Sequence, residues 1–369
     1  MCCRTDNRSI KVICFMSDMK GKIKMELKKF CIGMDLSIRE AMRAIDNSDP
    51  QIVFITENRK LVASLTDGDI RRFLLKGGKM TDPAIEAGNR TPKYAKSETE
   101  AIALYHQKNF IAIPILDEKN ELCDIYIGEN RKNMERAKLD IPVVINAGGK
   151  GTRLEPYTKI LPKPLIPVGE TPIIEHIMQR FIEYGCEEFS LIVNYKKEMM
   201  KAYFCGDGTK YNITWYDEEK PLGTGGGLCY LKGKIDRTFF FTNCDNLLLS
   251  NYESILRFHR ENRNVITMVC AYKNIKIPYG VVEMGVNGMV KSMKEKPEIS
   301  FLTNTGIYIV EPEVVYDIQD GMSIGFPDII EQERKKGKKV SVYPVSENEW
   351  LDMGQLSELE KMRERLYGE

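Results

Sequence analysis

Residues 141–167 constrain the fold of this chain more than any other stretch. They open with β-branched residues at 143–145, and an apolar run of this kind is typical of a strand that is buried on both faces of a parallel sheet. The run then breaks into three closely spaced glycines, Gly148, Gly149 and Gly151. Glycine lets the backbone approach a ligand closely and present several N–H groups to an anionic phosphate. The stretch therefore predicts a central strand followed by a phosphate-binding loop.

Two common glycine-rich loops do not fit this stretch. A P-loop needs Ser or Thr after its Gly-Lys pair, but Lys150 is followed by Gly151, and a dinucleotide-binding fingerprint needs a glycine where Leu154 stands. The pattern that does fit is G-G-x-G-T-R-L, followed nine residues later by K-P-L. This two-part pattern resembles the signature of the sugar-phosphate nucleotidyltransferases. A tight strand-to-helix turn with solvated cations is the alternative.

The resemblance implies roles for the residues of this motif. The implied nucleotide-binding set is Gly148, Gly149, Gly151 and Thr152. Arg153 and Lys163 are the implied catalytic cations, and arginine can hold two phosphate oxygens at once.

The composition limits the cellular compartment and the classes of binding partner that we expect. A chain of 369 residues is long enough for two or three domains. A formal net charge of +1 gives no indication of a strongly basic surface that would bind nucleic acid or membrane. Its ten cysteines are scattered without a C-x-x-C pair, and no apolar run approaches the roughly 18–20 residues of a membrane span. We therefore expect a cytoplasmic protein with reduced thiols. Residues 1–24 lack a signal-peptide core and are predicted to be a disordered extension.

Residues 25–130 contain the same pattern twice, about 60 residues apart. Each copy has a helix, an apolar strand, a short polar turn and a second strand. Ser37 and Glu40 have the spacing of a capping box at the start of the first helix. We predict tandem β-α-β repeats over residues 25–78 and 79–130, followed by a charged linker over residues 131–140.

The phrase L-T-D-G-D-I-R-R in the first copy carries a second resemblance. The repeats resemble a pair of cystathionine-β-synthase-type (CBS) domains, a family that binds adenosine nucleotides in the cleft between repeats. The resemblance implies an adenine-nucleotide site at Thr66, Asp67 and Asp69. Thr and Asp at a helix N-terminus can accept hydrogen bonds from ribose hydroxyls. The alternative is that these residues only cap the helix.

From residue 141 onward, strands and helices alternate. This rhythm predicts an α/β fold with a mainly parallel central sheet, and the resemblance implies a Rossmann-like nucleotidyltransferase domain over residues 141–369. Ligands of such sheets lie at the carboxyl ends of the strands. The glycine-rich loop and Asp245, which follows the apolar run at residues 238–242, both fall at such ends. We therefore expect the active site there.

The implied reaction is nucleotidyl transfer from a nucleoside triphosphate to a sugar-1-phosphate. The attacking phosphate oxygen is already ionised, so the site needs cations and Mg²⁺ rather than a general base. Mg²⁺ prefers carboxylate oxygens, and the resemblance places its ligands at Asp245 and Asp352. The three histidines, His106, His176 and His259, lack metal spacing and are predicted to be structural or solvated.

The segment E-E-K-P-L-G-T-G resembles the base-recognition loop of the family and implies nucleotide contacts at Glu218, Glu219 and Gly223. Guanine presents two neighbouring N–H donors, and a carboxylate, which only accepts, matches them well. Uracil and thymine present one donor between acceptors, which an amide matches better. The acidic residues therefore favour GTP. Exposed loop charges without a role in recognition are the alternative.

Three short motifs follow in the order of the family and imply the sugar-phosphate site. They are P-Y-G, E-K-P and N-T-G, with the candidate residues Gly280, Glu295, Lys296 and Asn304. In this assignment Lys296 holds the phosphate of the sugar and Glu295 a ring hydroxyl.

The combination of a CBS pair with a minimal nucleotidyltransferase resembles the guanylyltransferases of bacterial nonulosonic (legionaminic-type) acid pathways, which act on glucosamine-1-phosphate. We therefore expect a GTP-dependent hexosamine-1-phosphate guanylyltransferase of surface-glycan biosynthesis that forms a homo-oligomer. A mannose-1-phosphate guanylyltransferase and a UTP- or dTTP-dependent enzyme are the alternatives within the family. A nucleotide sensor without turnover is the alternative from another class.

Overall fold

The computed structural model describes residues 23–48, 50–107, 110–127, 138–205 and 211–367. The chain divides into two compact units between residues 134 and 135. Most of the predicted extension, residues 1–22, and most of the predicted linker, residues 131–137, lie outside the described residues. The internal repeat falls in the first unit and the glycine-rich loop in the second.

The order of one helix followed by two strands occurs twice among the described residues of the first unit. Its elements are α1 (Ile23–Phe30), β1 (Cys31–Gly33), α2 (Ile38–Asp46), β2 (Ile52–Glu57), β3 (Lys60–Thr66), α3 (Asp67–Leu75), α4 (Glu98–Gln107), β4 (Ile113–Leu116) and β5 (Leu122–Tyr126). β1 pairs in parallel with β2, and β2 forms an antiparallel hairpin with β3. In the second copy Ala95 pairs in parallel with Ile115, and β4 forms an antiparallel hairpin with β5.

The two hairpins share an irregularity. β2 shifts register between Ile55 and Thr56, and β4 shifts at the equivalent place one period later, between Ile115 and Leu116. A bulge at the same place in both copies agrees with an internal repeat. The two copies also share one core, in which Phe54 packs with Leu116. The CBS resemblance itself stays a prediction.

The capping box predicted at the start of α2 is confirmed. The hydroxyl of Ser37 accepts from the N–H of Glu40, and Glu40 Oε2 accepts from the N–H of Ser37 at 2.9 Å. Each group satisfies a backbone donor that the first helical turn would otherwise leave unpaired.

The second unit is an α/β domain. Its helices are α5 (Tyr157–Ile160), α6 (Ile173–Ile182), α7 (Lys197–Phe204), α8 (Tyr252–Asn262), α9 (Glu313–Tyr316), α10 (Phe326–Lys335) and α11 (Leu356–Tyr367). Its strands are β6 (Val143–Asn146), β7 (Pro167–Val168), β8 (Thr171–Pro172), β9 (Glu188–Val193), β10 (Asn212–Asp217), β11 (Phe239–Asn243), β12 (Asn246–Leu248), β13 (Ile266–Lys276), β14 (Val281–Met284), β15 (Val290–Lys294), β16 (Glu298–Val310), β17 (Val340–Ser346) and β18 (Trp350–Asp352).

Seven of these strands form the central sheet of the described residues, in the order β10-β9-β6-β11-β16-β13-β17. Neighbours are parallel except at β16, which is antiparallel to both β11 and β13. The predicted α/β fold with a mainly parallel central sheet is therefore confirmed. β6 is buried on both faces as expected, since Val143 and Ile145 pack in one core and Val144 in the core on the other side.

Candidate active site

The sheet topology brings the carboxyl ends of β6 and β11 side by side. The two strands are parallel neighbours, with Asn146 opposite Asn243. After β6 the chain runs to β9 and β10 on one side of the sheet, and after β11 it runs to β13, β16 and β17 on the other. This reversal is a topological switch point, where a crevice opens between the two following loops. One of these loops is the glycine-rich loop and the other contains Asp245.

The glycines of the first loop are needed where the chain passes other residues closely. A Cβ on Gly148 would lie 2.7 Å from Glu218 Oε2. Gly151 has a φ of +65°, and a Cβ there would lie 3.0 Å from Lys163 Cβ. Gly149, by contrast, faces open space. The loop therefore packs on the residues behind it at Gly148 and Gly151 and exposes its backbone at Gly149.

Thr152 and Arg153 continue the loop as part of a 3-10 helix over Thr152–Leu154. Leu154 is fully buried, whereas Thr152 and Arg153 are exposed. The buried leucine anchors the turn, so the guanidinium of Arg153 projects into solvent beside the loop.

Lys163 and Asp245 meet across the crevice in an ion pair between Nζ and Oδ2. Both side chains are largely buried, with 15% and 16% of their surface exposed. Burial alone would lower the pKa of Lys163, but the Asp245 carboxylate outweighs this and holds that pKa above its ordinary value. Two predicted catalytic residues that are 82 positions apart in the chain are thus in direct contact.

The second predicted metal ligand lies beside the first. β18 pairs antiparallel with β12, so Asp352 stands opposite Asn246, the residue after Asp245. Burial raises the pKa of Asp352, and the neighbouring Asp245 carboxylate raises it further. Two carboxylates that repel each other suit a divalent cation. Since no group of three His, Cys, Asp or Glu side chains converges within the described ranges, phosphate oxygens and water would complete the shell of such an ion.

The two acidic residues of the predicted base-recognition loop have different environments. Glu219 is exposed, whereas Glu218 is only 3% exposed and lies against Gly148 and Gly227. Among the described residues, Glu218 Oε1 has no hydrogen-bond partner. Burial raises the pKa of Glu218 to about 7, although a backbone hydrogen bond from Leu222 opposes this rise. A buried carboxyl with an unpaired oxygen is costly when it is ionised, which is why burial raises its pKa.

The predicted base-recognition loop contacts residues on both sides of the crevice. Gly223 has a φ of +78°, and a Cβ there would lie 2.6 Å from the Ile324 carbonyl oxygen. Thr224 Oγ1 accepts from the N–H of Phe326 at 3.0 Å, and the Thr224 carbonyl accepts from Asn146 Nδ2 at 3.4 Å. These contacts join the loop to the start of α10 and to the end of β6.

Three of the predicted sugar-phosphate residues meet at the base of the β14–β15 hairpin. A Cβ on Gly280 would lie 2.9 Å from Glu295 Oε2. The N–H of Lys296 donates to the Tyr279 carbonyl at 3.2 Å. The P-Y-G and E-K-P motifs are therefore brought face to face across the ribbon.

Asn304, the fourth predicted sugar-phosphate residue, lies on β16 nearer the switch point. Its side chain accepts from the N–H of Gly306 at 3.0 Å and donates to Tyr308 Oη at 2.6 Å. Gly306 has a φ of +78°, and a Cβ there would lie 2.6 Å from Asn246 Nδ2 and 2.7 Å from Asn243 Nδ2. The N-T-G motif therefore abuts the chain on both sides of Asp245.

Comparison with known proteins assigns this arrangement to a family. Residues 142–367 match the family model described as nucleotidyl transferase. The chain belongs to the nucleotidyl transferase family. The matched residues lie in the second unit and leave the first unit outside the family match.

Relatives in the nucleotidyl transferase family are of moderate similarity. The chain is 32% identical over 224 residues to a mannose-1-phosphate guanylyltransferase of Mycobacterium tuberculosis. The aligned residues cover 58% of this chain and 61% of that protein. It is 29% identical over 239 residues to a UTP–glucose-1-phosphate uridylyltransferase of Synechocystis, with coverage of 58% and 60%. The chain thus spans about three fifths of the length of these curated relatives.

A crystal structure of HddC from Yersinia pseudotuberculosis aligns with a TM-score of 0.49 at 21% identity, covering 61% of this chain and 99% of that chain. In the part of the chain that the structure describes, no helix is long and apolar enough to cross a membrane.

The structure adds residues to the nucleotidyl transferase site that the sequence motifs did not identify. Lys273 Nζ lies 4.9 Å from the centroid of the Trp350 ring, and the Trp350 indole N–H donates to Asn246 Oδ1 at 3.4 Å. Burial raises the pKa of Asp352, and the charge of Lys273 acts against that rise. Lys273, Trp350 and Asp352 border a cavity of about 380 Å³ beside α11. Trp350 shares the face of Asp352 by strand alternation, but Lys273 is on a distant strand and has no sequence signal.

A second group that the motifs missed, residues 194–196, supports the glycine-rich loop. The N–H of Tyr195 donates to the Gly148 carbonyl at 3.4 Å, and Tyr195 Oη donates to the Thr158 carbonyl at 3.1 Å. Thr158 in turn donates to the Gly151 carbonyl at 3.1 Å. Lys196 Nζ donates to two further carbonyls of α5, at 2.6 and 2.7 Å. The segment therefore holds both ends of the loop.

The described histidine side chains have structural partners, as predicted. His176 Nε2 lies 3.0 Å from the Val168 carbonyl oxygen. His259 is buried with Nδ1 2.8 Å from Thr267 Oγ1 and Nε2 2.9 Å from Glu311 Oε1. The side chain of His106 lies outside the described residues.

In the first unit, two of the three residues of the predicted adenine-nucleotide site, Thr66 and Asp69, cap α3. Thr66 Oγ1 accepts from the N–H of Asp69 at 3.3 Å, and Asp69 Oδ2 accepts from the N–H of Thr66 at 2.9 Å. Asp67 forms an ion pair with Arg71 one turn later. The capping role is therefore confirmed, and the nucleotide role stays a prediction. A cavity of about 660 Å³ in this unit is lined by Leu61, Val62, Arg90, Lys93, Tyr94 and Leu104.

Proposed function

We propose that this chain is a sugar-1-phosphate nucleotidyltransferase, which makes a nucleotide-sugar and pyrophosphate. The observation that carries the proposal is the contact of Lys163 with Asp245, beside Asp352, at the switch point that also holds the glycine-rich loop. Membership of the nucleotidyl transferase family supports it, and the names of both relatives describe activities of this type.

The proposed reaction needs charge compensation rather than proton transfer. An oxygen of the sugar phosphate forms a bond to the α-phosphorus of the nucleotide, while the bond from that phosphorus to the bridging oxygen breaks. Pyrophosphate leaves with the electron pair, and no proton has to be removed because the nucleophile is already ionised. In this proposal Lys163 and Arg153 bind phosphate and offset the charge that develops on the leaving group.

We propose Asp245 and Asp352 as the residues that hold Mg²⁺. Bound there, Mg²⁺ would polarise the reacting phosphate and neutralise part of the charge of both substrates. The donor chemistry fits, since the two carboxylates are adjacent and hard oxygen ligands suit this ion. Without the ion, Lys163 supplies the positive charge beside Asp245.

The proposed nucleotide is GTP. Glu218 supports this choice because its carboxyl lies beside Gly148 of the glycine-rich loop, and a carboxylate accepts the N1–H and amine N–H bonds that guanine would donate. Glu219 is exposed and adds less to the argument. The name of the mycobacterial relative supports a guanylyltransferase, and that of the Synechocystis relative keeps UTP as the alternative.

The proposed sugar is glucosamine-1-phosphate, for bacterial surface-glycan or nonulosonic acid biosynthesis. This choice rests on the resemblance of the whole chain to a CBS pair joined to a guanylyltransferase. Mannose-1-phosphate is the alternative, and the name of the mycobacterial relative supports it. Gly280, Glu295, Lys296 and Asn304 are the proposed contacts of the sugar phosphate in either case.

Pyrophosphate release in the presence of Mg²⁺ tests the proposal. The assay crosses GTP, UTP, CTP, dTTP and ATP with glucosamine-, N-acetylglucosamine-, mannose- and glucose-1-phosphate. We expect release with GTP and a hexosamine phosphate, and a fall of about 100-fold or more in Asp245→Asn, because the carboxylate that is proposed to hold Mg²⁺ and that pairs with Lys163 is lost. Asp236→Asn, at an exposed aspartate of the same unit, is the matched control and should keep full activity.

Other outcomes separate the parts of the proposal. Pyrophosphate release only with UTP or dTTP would contradict the preference for GTP that was argued from Glu218. It would still agree with nucleotidyl transfer as the reaction. If a folded chain that still binds nucleotide released no pyrophosphate in any combination, the proposed transferase activity would be contradicted. That result would favour a nucleotide sensor.

We also propose that the first unit binds an adenine nucleotide that modulates the transferase. The CBS resemblance supports this role, with Thr66, Asp67 and Asp69 as the ribose contacts. The 660 Å³ cavity of that unit offers a second place for such a ligand, since Tyr94 is aromatic and Arg90 and Lys93 are cationic.

A further inference from the structure

The exposed apolar side chains of the described residues are concentrated in one segment of the second unit. Of the 23 large hydrophobic side chains that are exposed in the described ranges, 12 lie within residues 275–302. This segment contains the β14–β15 hairpin, which pairs with no other strand in the part of the chain that the structure describes. A two-stranded hairpin is only marginally stable in water by itself. A surface of this kind therefore points to a partner.

The register of the hairpin sorts its side chains onto two faces. Val282 stands opposite Met293, and Met284 stands opposite Val290. Directly opposed residues of an antiparallel pair lie on the same face. These four residues, here called the apolar face, are uncharged and between 52% and 75% exposed.

The opposite face of the hairpin is polar and has its own partners. Glu283 forms an ion pair with Lys291 and accepts from the Ser292 hydroxyl at 3.1 Å. Lys294 stands opposite Val281 on this face. The polar face therefore suits solvent, and the apolar face is the one that lacks a counterpart.

The apolar face is large enough for a stable interface. Beyond it, at the tip of the hairpin, Val286 and Met289 are 78% and 69% exposed. Burying a side chain of this size contributes about 1.5–3 kcal/mol at about 25 cal/mol per Å², so six of them present roughly 360–720 Å² when fully exposed. They are about two-thirds exposed, which leaves roughly 240–480 Å² of apolar surface in each copy. Apolar atoms make up about 57% of an ordinary interface, so a contact that covers all six would bury roughly 420–840 Å² per copy. The upper part of this range is the area of a standard specific interface.

We propose that the apolar face packs against the same face of a second copy of this chain about a two-fold axis. A two-fold contact requires a surface that complements itself, and Val and Met occur on both strands of the face. The face has no charge for a partner to neutralise, so a second copy satisfies it completely. Two hairpins stacked in this way cover both apolar faces and leave both polar faces in water.

Sedimentation velocity of the full-length chain, from micromolar to submillimolar concentration, tests the proposal. Val282→Lys places a charge on the apolar face. Val281→Lys, at the neighbouring residue, places the same charge on the polar face of the hairpin. The two valines are 52% and 40% exposed, so neither change should disturb the fold of one copy. We expect dimers for the wild type and for Val281→Lys, and association at least about 100-fold weaker for Val282→Lys, because each copy would bury an unpaired ammonium. Met293→Lys, on the same face, should reproduce that loss.

Three results would overturn the proposal. A wild-type chain that stays monomeric throughout the series would show that something other than a second copy covers the face. A dimer that survives Val282→Lys and Met293→Lys unchanged would show that the copies associate elsewhere. Equal weakening by Val281→Lys would show that the effect does not belong to one face. The readout is mass rather than activity, so it is independent of the proposed function.

Discussion

Glu218 is the residue on which the proposed nucleotide preference depends. Its carboxyl is buried against Gly148 and Gly227, and among the described residues its Oε1 has no hydrogen-bond partner. Burial raises its pKa from the ordinary 4.5 to about 7. The folded protein therefore holds a proton on this carboxyl over a pH range in which the unfolded chain has lost it, so stability falls as pH rises through that range.

The first prediction concerns this residue. We expect Glu218→Gln to stabilise the free protein at about pH 8 by on the order of 1 kcal/mol, less than the full shift implies because the amide of Gln is itself a polar group that burial penalises. The advantage should shrink as pH falls from about 7 through 4.5, because below 4.5 the wild-type carboxyl is protonated in both the folded and the unfolded state. Denaturant unfolding at several pH values measures both effects.

Glu219→Gln is the matched control for this experiment, because Glu219 is the adjacent and exposed carboxylate. It should leave the pH dependence of the wild type unchanged. The same pH dependence in the wild type and in Glu218→Gln would contradict the expected role of burial.

At the scale of elements, the end of β9 shows how one strand organises the loops beside it. Residues 194–196 contact the glycine-rich loop, α5 and the base-recognition loop, since Asn194 Nδ2 also donates to the Glu218 carbonyl at 2.9 Å. Tyr195 links the strand to Thr158, which bonds to Gly151. The conformation of the glycine-rich loop is therefore held from behind, away from the crevice that would receive the nucleotide.

The second prediction tests this support and rests on the proposed function. Tyr195→Phe removes the hydrogen bond to Thr158 and keeps the ring. We expect the KM for the nucleotide to rise about 3–10-fold, because a neutral hydrogen bond contributes about 0.5–1.5 kcal/mol. The value of kcat should change less than about twofold, since no group that touches the reacting atoms is altered. Steady-state kinetics with varied nucleotide measures the two constants.

Tyr211→Phe is the matched control, since Tyr211 Oη donates to Glu175 at 2.8 Å, outside the loop. It should leave the KM for the nucleotide unchanged. A rise in KM that both variants share, or an unchanged KM in Tyr195→Phe, would contradict a positioning role for Tyr195.

At the scale of the whole molecule, the chain joins two units with separate candidate nucleotide sites. The second unit carries the family match, and the first carries the internal repeat. In the first unit Asp69 belongs to the capping box of α3, whereas Asp67 does not and forms an ion pair with Arg71 of its own helix. Asp67 is therefore the predicted ligand that can be changed with least damage to the fold.

The third prediction is made at this scale. We expect isothermal titration of the full-length chain to detect binding of AMP or ATP. Asp67→Asn should weaken it about tenfold, since a hydrogen bond to a charged group contributes about 1.5–3 kcal/mol. Glu118→Gln, an exposed residue in the turn of the second copy, is the control. No heat with either nucleotide would contradict the proposal, and binding lost in Arg90→Gln but kept in Asp67→Asn would move the ligand to the 660 Å³ cavity.

The sequence by itself determined the features that depend on neighbouring residues. The apolar run of β6 and the capping box of α2 follow from side-chain periodicity and from hydrogen bonds across one helical turn. The location of the site also followed, because loops after the strands of a parallel sheet share one edge. The roles of the individual site residues stay predictions, although Lys163, Asp245 and Asp352 do come together.

Only the tertiary structure decided the environment of each of these residues. It buried Glu218 and exposed its neighbour Glu219, and it placed Lys273 beside Asp352. It also left the apolar face of the β14–β15 hairpin in solvent, although alternating Val and Met would equally suit a strand inside the sheet. These outcomes depend on which distant segments pack together, and burial, charge pairing and exposure arise from such contacts rather than from local periodicity.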